Sequence, residues 1–277
     1  MLYAAAFALT LAAAWRVSVH APRLQPLPVR DYDLQRCELA GEAGRPVLRI
    51  LDAVYLEQRD SLSPWCASAA VARHFSAVEL LTEHRDSIDL RELHESRHSL
   101  VVAKPELMQS AGRAVPGGLA YVRIAEYPSY GSQLVSMQGL PQLDAAWLRG
   151  KRLGLLDDPN SVSSYQIPMA ALRQAGLADV PELVYYRSYR QLYRALFNGE
   201  VDVIPALLSE EGPDSALQLP PGLVLQQTIP GPAWYLQDAL YDSPARCALQ
   251  GVLALAARSA DPDYLRELHL VSPCDEH

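Results

Sequence analysis

The chain has 277 residues, 49% of them hydrophobic, which is enough to bury a sizeable core and more than one folding unit. Its 24 basic and 32 acidic side chains leave a net charge of -8, and the arginines are scattered rather than gathered into a basic stripe. That pattern argues against nucleic acid as a partner, and the 21 prolines and 15 glycines form no low-complexity tract or internal repeat.

The first residues, MLYAAAFALTLAAAW, are apolar and uncharged up to Arg16. The run is shorter than the roughly 20 residues of a bilayer span and reads as the hydrophobic region of a signal peptide that lacks a basic n-region. Cleavage after Ala14 satisfies the small-x-small rule with Ala12, whereas cleavage after Ala21 sets Pro22 beside the scissile bond. An uncleaved anchor is the alternative, so residues 1–21 are a signal peptide or N-terminal anchor and the remainder is exported. HAPRLQPLPVRDYD carries three prolines and makes residues 22–44 a tether.

Folded sequence is expected from Arg45. PVLRILDAVYL (46–56) is continuously apolar, as a buried parallel strand is. After RDSLSP, Ser63 with Pro64 starts a helix that runs through WCASAAVARHF. AVELLT (77–82) is a second strand, IDLRELHESR (88–97) a helix and SLVVAKP (99–105) a third strand. This alternation is that of βαβ units in an α/β fold. His94-Glu95-Ser96-Arg97-His98 fits the zinc-peptidase pattern H-E-x-x-H, in which a helix sets both histidines on one face. Here the match falls in the last turn of a short helix, with Arg97 between the ligand positions and no third ligand at a recognisable spacing. It reads as a coincidence, with no metal and no cofactor.

QSAGRAVPGG (109–118) is a break. LAYVRIAEY and SQLVSMQG are strands, and the alternation then resumes. RLGLLDD (152–158), ELVYYRS (182–188) and VDVIPALLS (201–209) are strands, separated by helices in SSYQIPMAALRQAG and YRQLYRALFNG. EEGPDSALQLPPG (210–222) is a second break before the strands LVLQQTI and AWYLQ and helices over 243–258 and 261–269. Two α/β blocks and two breaks give two lobes joined by a hinge: residues 45–117, then 118–212, with 213–277 completing the first. The cysteines at 37, 66, 247 and 274 include no C-x-x-C pair. They form two disulfides in any of three connectivities, or remain four buried thiols.

The strand that ends in DDPNSVSSY delivers hydroxyls and backbone N–H groups to a helix N-terminus. Such a place favours phosphate, phosphonate, sulfate or carboxylate. Leu148, Gly150 and Lys151, then Asp158-Pro159-Asn160-Ser161-Val162-Ser163-Ser164-Tyr165 with Pro168, then Arg187-Ser188-Tyr189, then Asn198-Gly199-Glu200-Val201-Asp202 resemble the motifs of the phosphonate-binding branch of the type II periplasmic binding proteins. Two positions depart from that family: its glycine is Ser164 here, and its histidine is Tyr189. The resemblance implies a two-lobed type II periplasmic-binding-protein fold, each lobe a mainly parallel sheet flanked by helices.

Ser161, Ser163 and Ser164 are then expected as donors to an anion, with Tyr165 as a wall. Ser188, Tyr189 and Arg187 are expected nearby, with Arg190 flanking. Ends of first-lobe strands face the cleft in such folds, which adds Ser61, Ser63, Trp65 and Lys104. The implied function is a non-catalytic solute-binding protein that closes on a small anionic or zwitterionic, phosphonate- or phosphate-like ligand and serves an ABC permease. The alternative is a sensory or accessory domain of the same fold that signals to a membrane partner. No G-x-S-x-G elbow, P-loop or Cys/His dyad points to an enzyme.

Overall fold

In a computed structural model, residues 32–41, 44–54, 62–83, 88–208, 219–258, 260 and 263–274 are described. The leader, most of the tether, Ser61 and residues 210–218 of the second break lie outside the described residues. Strand β1 (Tyr32–Glu38) pairs antiparallel with β3 (Ala77–Glu83), so the end of the expected tether is an edge strand. Arg36 there forms ion pairs with Glu79 and Glu38. Strand β2 (Val47–Asp52) runs parallel to β3 and to β4 (Leu100–Ala103).

The single helix expected after Ser63 is two short ones. Helix α1 (Ser63–Cys66) is followed by α2 (Ala69–Ala72), because the Ser68 hydroxyl accepts from Val71 N and starts a new turn. Ser63 is not the cap of α1; Leu62 holds that position. Helix α3 (Leu90–His94) is capped by Asp89, and α4 (Pro105–Arg113) runs through the first half of the expected break at 109–118. Gly112 lowers helix propensity there, but Met108 and Ala111 bury one face against the sheet, and packing decides.

The remaining strands are β5 (Tyr121–Glu126), β6 (Tyr130–Val135), β7 (Arg152–Leu156), β8 (Glu182–Tyr186), β9 (Ile204–Leu208), β10 (Leu223–Ile229), β11 (Ala233–Gln237) and β12 (His269–Leu270). The remaining helices are α5 (Ala145–Leu148), α6 (Ile167–Gln174) with a preceding π-helical turn (Val162–Gln166), α7 (Tyr189–Phe197), α8 (Asp238–Tyr241) and α9 (Pro244–Arg258). The helix expected over 261–269 is a 3-10 turn (Asp263–Arg266) followed by β12. Val271 N donates to Ile124 O, and the buried Gln250 amide donates to both Ile124 O and Val271 O, so the chain end is drawn onto β5 as a strand.

One sheet has the order β1-β3-β2-β4-β11-β5-β12. In the second lobe β10-β6-β9 is joined to β7-β8 by a parallel bridge from Leu153 to Val203, giving β8-β7-β9-β6-β10. Each lobe therefore has four strands of one direction with one antiparallel strand inserted among them, β11 in the first and β6 in the second, and the first sheet adds antiparallel β1 and β12 at its edges. Helices cover both faces of the first sheet. Leu249, Val252 and Leu253 of α9 pack on Leu48, Ile50, Leu100 and Ile124, while Leu93, Met108 and Ala111 meet Leu51, Val101 and Ala103. In the second lobe Leu192, Ala195 and Leu196 of α7 cover one face and Met169 and Leu172 of α6 the other.

The inserted strands displace the crossings from where the breaks in the sequence put them. The chain leaves the first sheet after Glu126 and returns to it at Ala233. The two crossings touch: Tyr127 N donates to Pro232 O at 3.0 Å. A Cβ on Gly231 would stand 2.3 Å from Tyr127 O and 2.4 Å from Pro128 O, so only glycine lets the segments approach this closely. Lys104 Nζ donates to Tyr130 Oη (2.7 Å) and Pro230 O (3.1 Å), and Tyr264 Oη donates to Pro128 O (2.8 Å).

The H-E-x-x-H segment is not one helix. Helix α3 ends at His94 and Ser96 takes φ 50°, so His98 is not one turn above His94. His94 Nε2 is 3.2 Å from Ala111 O, and the buried His98 Nε2 is 3.1 Å from Glu92 Oε2. Desolvation lowers the His98 pKa below the ordinary histidine value, against the pull of Glu92 in the other direction. The imidazole is thus neutral and donates Nε2–H to the carboxylate.

Two expectations follow from the joined cysteines and from His98. The disulfides Cys37–Cys66 and Cys247–Cys274 staple β1 to α1 and α9 to the chain end. The first closes a sequence separation of 29 residues, so Cys37→Ser with Cys66→Ser should cost about 3–4 kcal/mol in urea unfolding. Thiol titration of the unreduced, denatured wild type should find no free thiol. A His pKa lowered by folding means that the unfolded chain binds the extra proton, so His98's contribution is present above about pH 6.5 and fades as pH falls toward the folded pKa. Between about pH 7.5 and 5.5 the wild type should therefore lose more stability than His98→Gln, by on the order of 1 kcal/mol. Equal losses would show that His98 titrates as it does in the unfolded chain.

Candidate functional site

Strand β7 delivers the chain to the site. After Leu156, Asp157 N donates to Tyr186 O, which ties the exit of β7 to the end of β8. Asp158 then turns the chain: its carboxylate accepts from Asn160 N and its carbonyl from Ser161 N. Ser161 O accepts from both Tyr165 N and Gln166 N, which opens the first turn to π width before α6 continues it. The turn and α6 together run from Val162 to Gln174, so the amides of residues 162–164 point outward without intrahelical acceptors. Helix α7 starts just beyond the end of β8, and its N-terminus converges on the same place. Two helix dipoles present positive ends there.

The three serines are 4%, 3% and 0% exposed at positions 161, 163 and 164. Ser164 Oγ donates to Tyr189 Oη at 2.9 Å, and Ser163 Oγ lies 3.1 Å from the same phenol oxygen. Ser132 in β6 fixes the turn from below, its hydroxyl donating to Ser163 O at 2.8 Å. Ser161 makes no capping bond, and its hydroxyl has no hydrogen-bond partner among the described residues. Ser163, Ser164 and Tyr189 are thus one cluster, and the tyrosine is its lid.

The other expected residues divide. Ser188 caps α7, its Oγ accepting from Gln191 N, so its hydroxyl is engaged in starting the helix. The exposed Arg187 anchors through its backbone N–H to Gln191 Oε1. Tyr165 stands 6.4 Å from Tyr185, packed on the second lobe's core. Trp65 is core: it is 3% exposed and lies 6.1 Å from Trp234. Ser63 is exposed on α1, and Lys104 grips the crossings. No contact joins Ser63, Trp65 or Lys104 to the serine cluster among the described residues.

The flanking motifs have structural work at the opposite end of β7. Asp202 accepts from Arg152 N (2.8 Å), Arg152 Nε (3.3 Å) and Gln138 Nε2 (2.9 Å). Desolvation alone would raise its pKa, but these bonds outweigh it and hold the carboxyl below its ordinary value. Lys151 donates to Gln138 Oε1 and covers the Trp147 ring at 4.6 Å. Gly199 takes φ 68° just beyond the end of α7. Ser132 and Tyr130 escaped the sequence reading. The only sign was the polar pair Ser132 and Gln133 inside the fully buried strand YGSQLV. Among the described residues no group of three or more His, Cys, Asp or Glu can hold a metal ion.

The family model described as the periplasmic substrate-binding protein of phosphonate ABC transporters matches residues 94–219. No match was found among curated protein sequences. The similar solved structures include two binding proteins. A binding protein component of an ABC phosphonate transporter from Pseudomonas aeruginosa is 16% identical, with 82% of each chain covered and a TM-score of 0.50. PhnD1 from Prochlorococcus marinus, in complex with methylphosphonate, is 13% identical, with 81% of this chain and 92% of that chain covered and a TM-score of 0.52. The resemblance carried by the serine motif thus extends to the family model over residues 94–219, and the chain has the two-lobed type II periplasmic-binding-protein fold.

Proposed function

We propose that this chain is a periplasmic solute-binding protein of an ABC-type uptake system. Its lobes close on a small anion of the phosphonate, phosphate, sulfate or carboxylate kind. In this reading residues 1–21 direct export, the lobes divide at the two crossings, and the protein carries out no chemistry on its ligand. The observation that carries the proposal is the buried serine cluster at the C-terminal ends of β7 and β8, where two helix N-termini converge. Among the described residues no helix is long and apolar enough to cross a membrane.

One observation favours a second reading. The Tyr189 hydroxyl lies on the two serines that would otherwise meet a ligand. A sensory or accessory domain with a changed or lost ligand site would look the same.

Calorimetric titration with methylphosphonate, phosphate, sulfate and acetate separates the two. At least one member should bind the wild type. Ser161→Ala should weaken that binding about tenfold, the value of one charge-assisted hydrogen bond. The unliganded protein should change by less than about 0.5 kcal/mol, because that hydroxyl supports nothing else in the fold. If no member binds at millimolar concentration, the accessory reading replaces transport.

A further inference from the structure

We infer that Tyr189 is the residue that selects the ligand's head group, closing the serine seat to tetrahedral oxyanions and leaving it suited to a planar carboxylate. The inference rests on the anion-binding reading of this site and deepens it. Ser163, Ser164 and Tyr189 bring three hydroxyl hydrogens to the cluster. The two bonds among them, at 3.1 and 2.9 Å, use two of these hydrogens. Only one hydroxyl hydrogen is left over. What sets these two serines apart from the equally buried Ser161 is that both of their hydroxyls are turned onto the phenol oxygen.

Without the phenol, both serine hydroxyls would be released beside the free amides of the π turn, with the uncommitted Ser161 at its N-cap. That is a donor set for the three oxygens of a phosphonate. With the phenol in place, the oxygen of Tyr189 occupies the position of one of those oxygens. A tetrahedral head then has to displace it and break two hydrogen bonds. A carboxylate has two oxygens in one plane and needs fewer donors. It is met by the Ser161 hydroxyl, the remaining hydroxyl hydrogen and an amide, with the phenol undisturbed. Discrimination of this kind works through the penalty on the wrong ligand as much as through contacts to the right one.

The phenol is held where it is by its own helix. Tyr189 is the first residue of α7, Ser188 caps that helix, and the Tyr189 ring stacks on Tyr193 at 6.3 Å. The ring also packs on the core cluster that includes Leu192 and Leu196. Displacing it means unstacking an aromatic pair, which is more than a free rotamer change.

The test has two arms. In the first, acetate and methylphosphonate, which differ only in the head group, are titrated into the wild type and Tyr189→His. The imidazole is shorter than the phenol and withdraws from the serines. The ratio of the two affinities should shift at least tenfold toward methylphosphonate in the variant. An unchanged ratio overturns the inference, as does a wild type that binds methylphosphonate more tightly than acetate. The second arm needs no ligand. Unfolding midpoints of Tyr189→Phe, of Ser163→Ala with Ser164→Ala, and of the triple variant should be non-additive, because both changes remove the same bonds. Additive midpoints show that the phenol does not sit on the serines and also overturn it. Non-additive midpoints with no binding of either ion to either protein refute the anion seat itself, and the selector falls with it.

Discussion

The double crossing between the lobes is the constraint on which the rest of the structure depends. Two segments of backbone, around residues 127–129 and 230–232, run so close together that a single hydrogen bond links them and a side chain on Gly231 would collide with two carbonyl oxygens. Each segment leads into a strand that enters a sheet against its neighbours' direction: β6 after the first crossing, β11 after the second. The inserted strands fix where each lobe's central sheet begins and therefore where its strand ends lie. Lys104, Tyr130 and Tyr264 brace the pair from both lobes with polar bonds and ring contacts. A brace of this kind resists separation of the two segments.

The serine cluster is a product of the same layout. Strand β7 lies next to the start of β9, and β6 lies on the other side of β9. Ser132 of the inserted strand thereby sits beneath the turn that follows β7 and holds its carbonyl. Ser132, buried in this strand, has a reason to be polar: it sets the height of the turn that carries Ser163 and Ser164. At the other end of β7, Asp202 draws the start of the strand to the chain beyond α7 through Arg152. One strand is thus pinned at both ends, and the residues that resemble a binding-protein motif divide into those that pin its start and those that gather at its exit.

Much of this was legible in the sequence where local signals and packing agree. The runs VLRILD, RLGLL and IPALL are strands because they are mainly apolar and flanked by turns, and the Leu192, Ala195 and Leu196 face of α7 follows from its period. The Ser161 to Tyr165 motif marks a helix start, and a π-helical turn begins there. Long-range pairing overrode local signals elsewhere. β1 looks like a proline-flanked tether until β3 offers it an edge, and the end of the chain looks helical until Gln250 and Ile124 claim it for β5. Position 104 was assigned to the ligand because it ends a strand, a rule that does not reveal that the second crossing passes directly over it. The placement of Tyr189 on the serines depends on two helix N-termini converging from different βα units, which spacing along the chain does not encode.

The shared strand order has a consequence for how the protein is made. The second lobe is contiguous, from β6 to β10, so all five of its strands are present once residue 229 has emerged. The first lobe begins earlier and finishes later. Its parallel strands β2, β3 and β4 present an open edge until β11 arrives more than a lobe's length afterwards. During vectorial synthesis or translocation the N-terminal half is therefore the last to close, and its apolar edge is the surface exposed longest to chance pairing. The Cys37–Cys66 bridge lies wholly within that waiting half. It is available as a covalent restraint on β1 and α1 before the strand that completes their sheet exists.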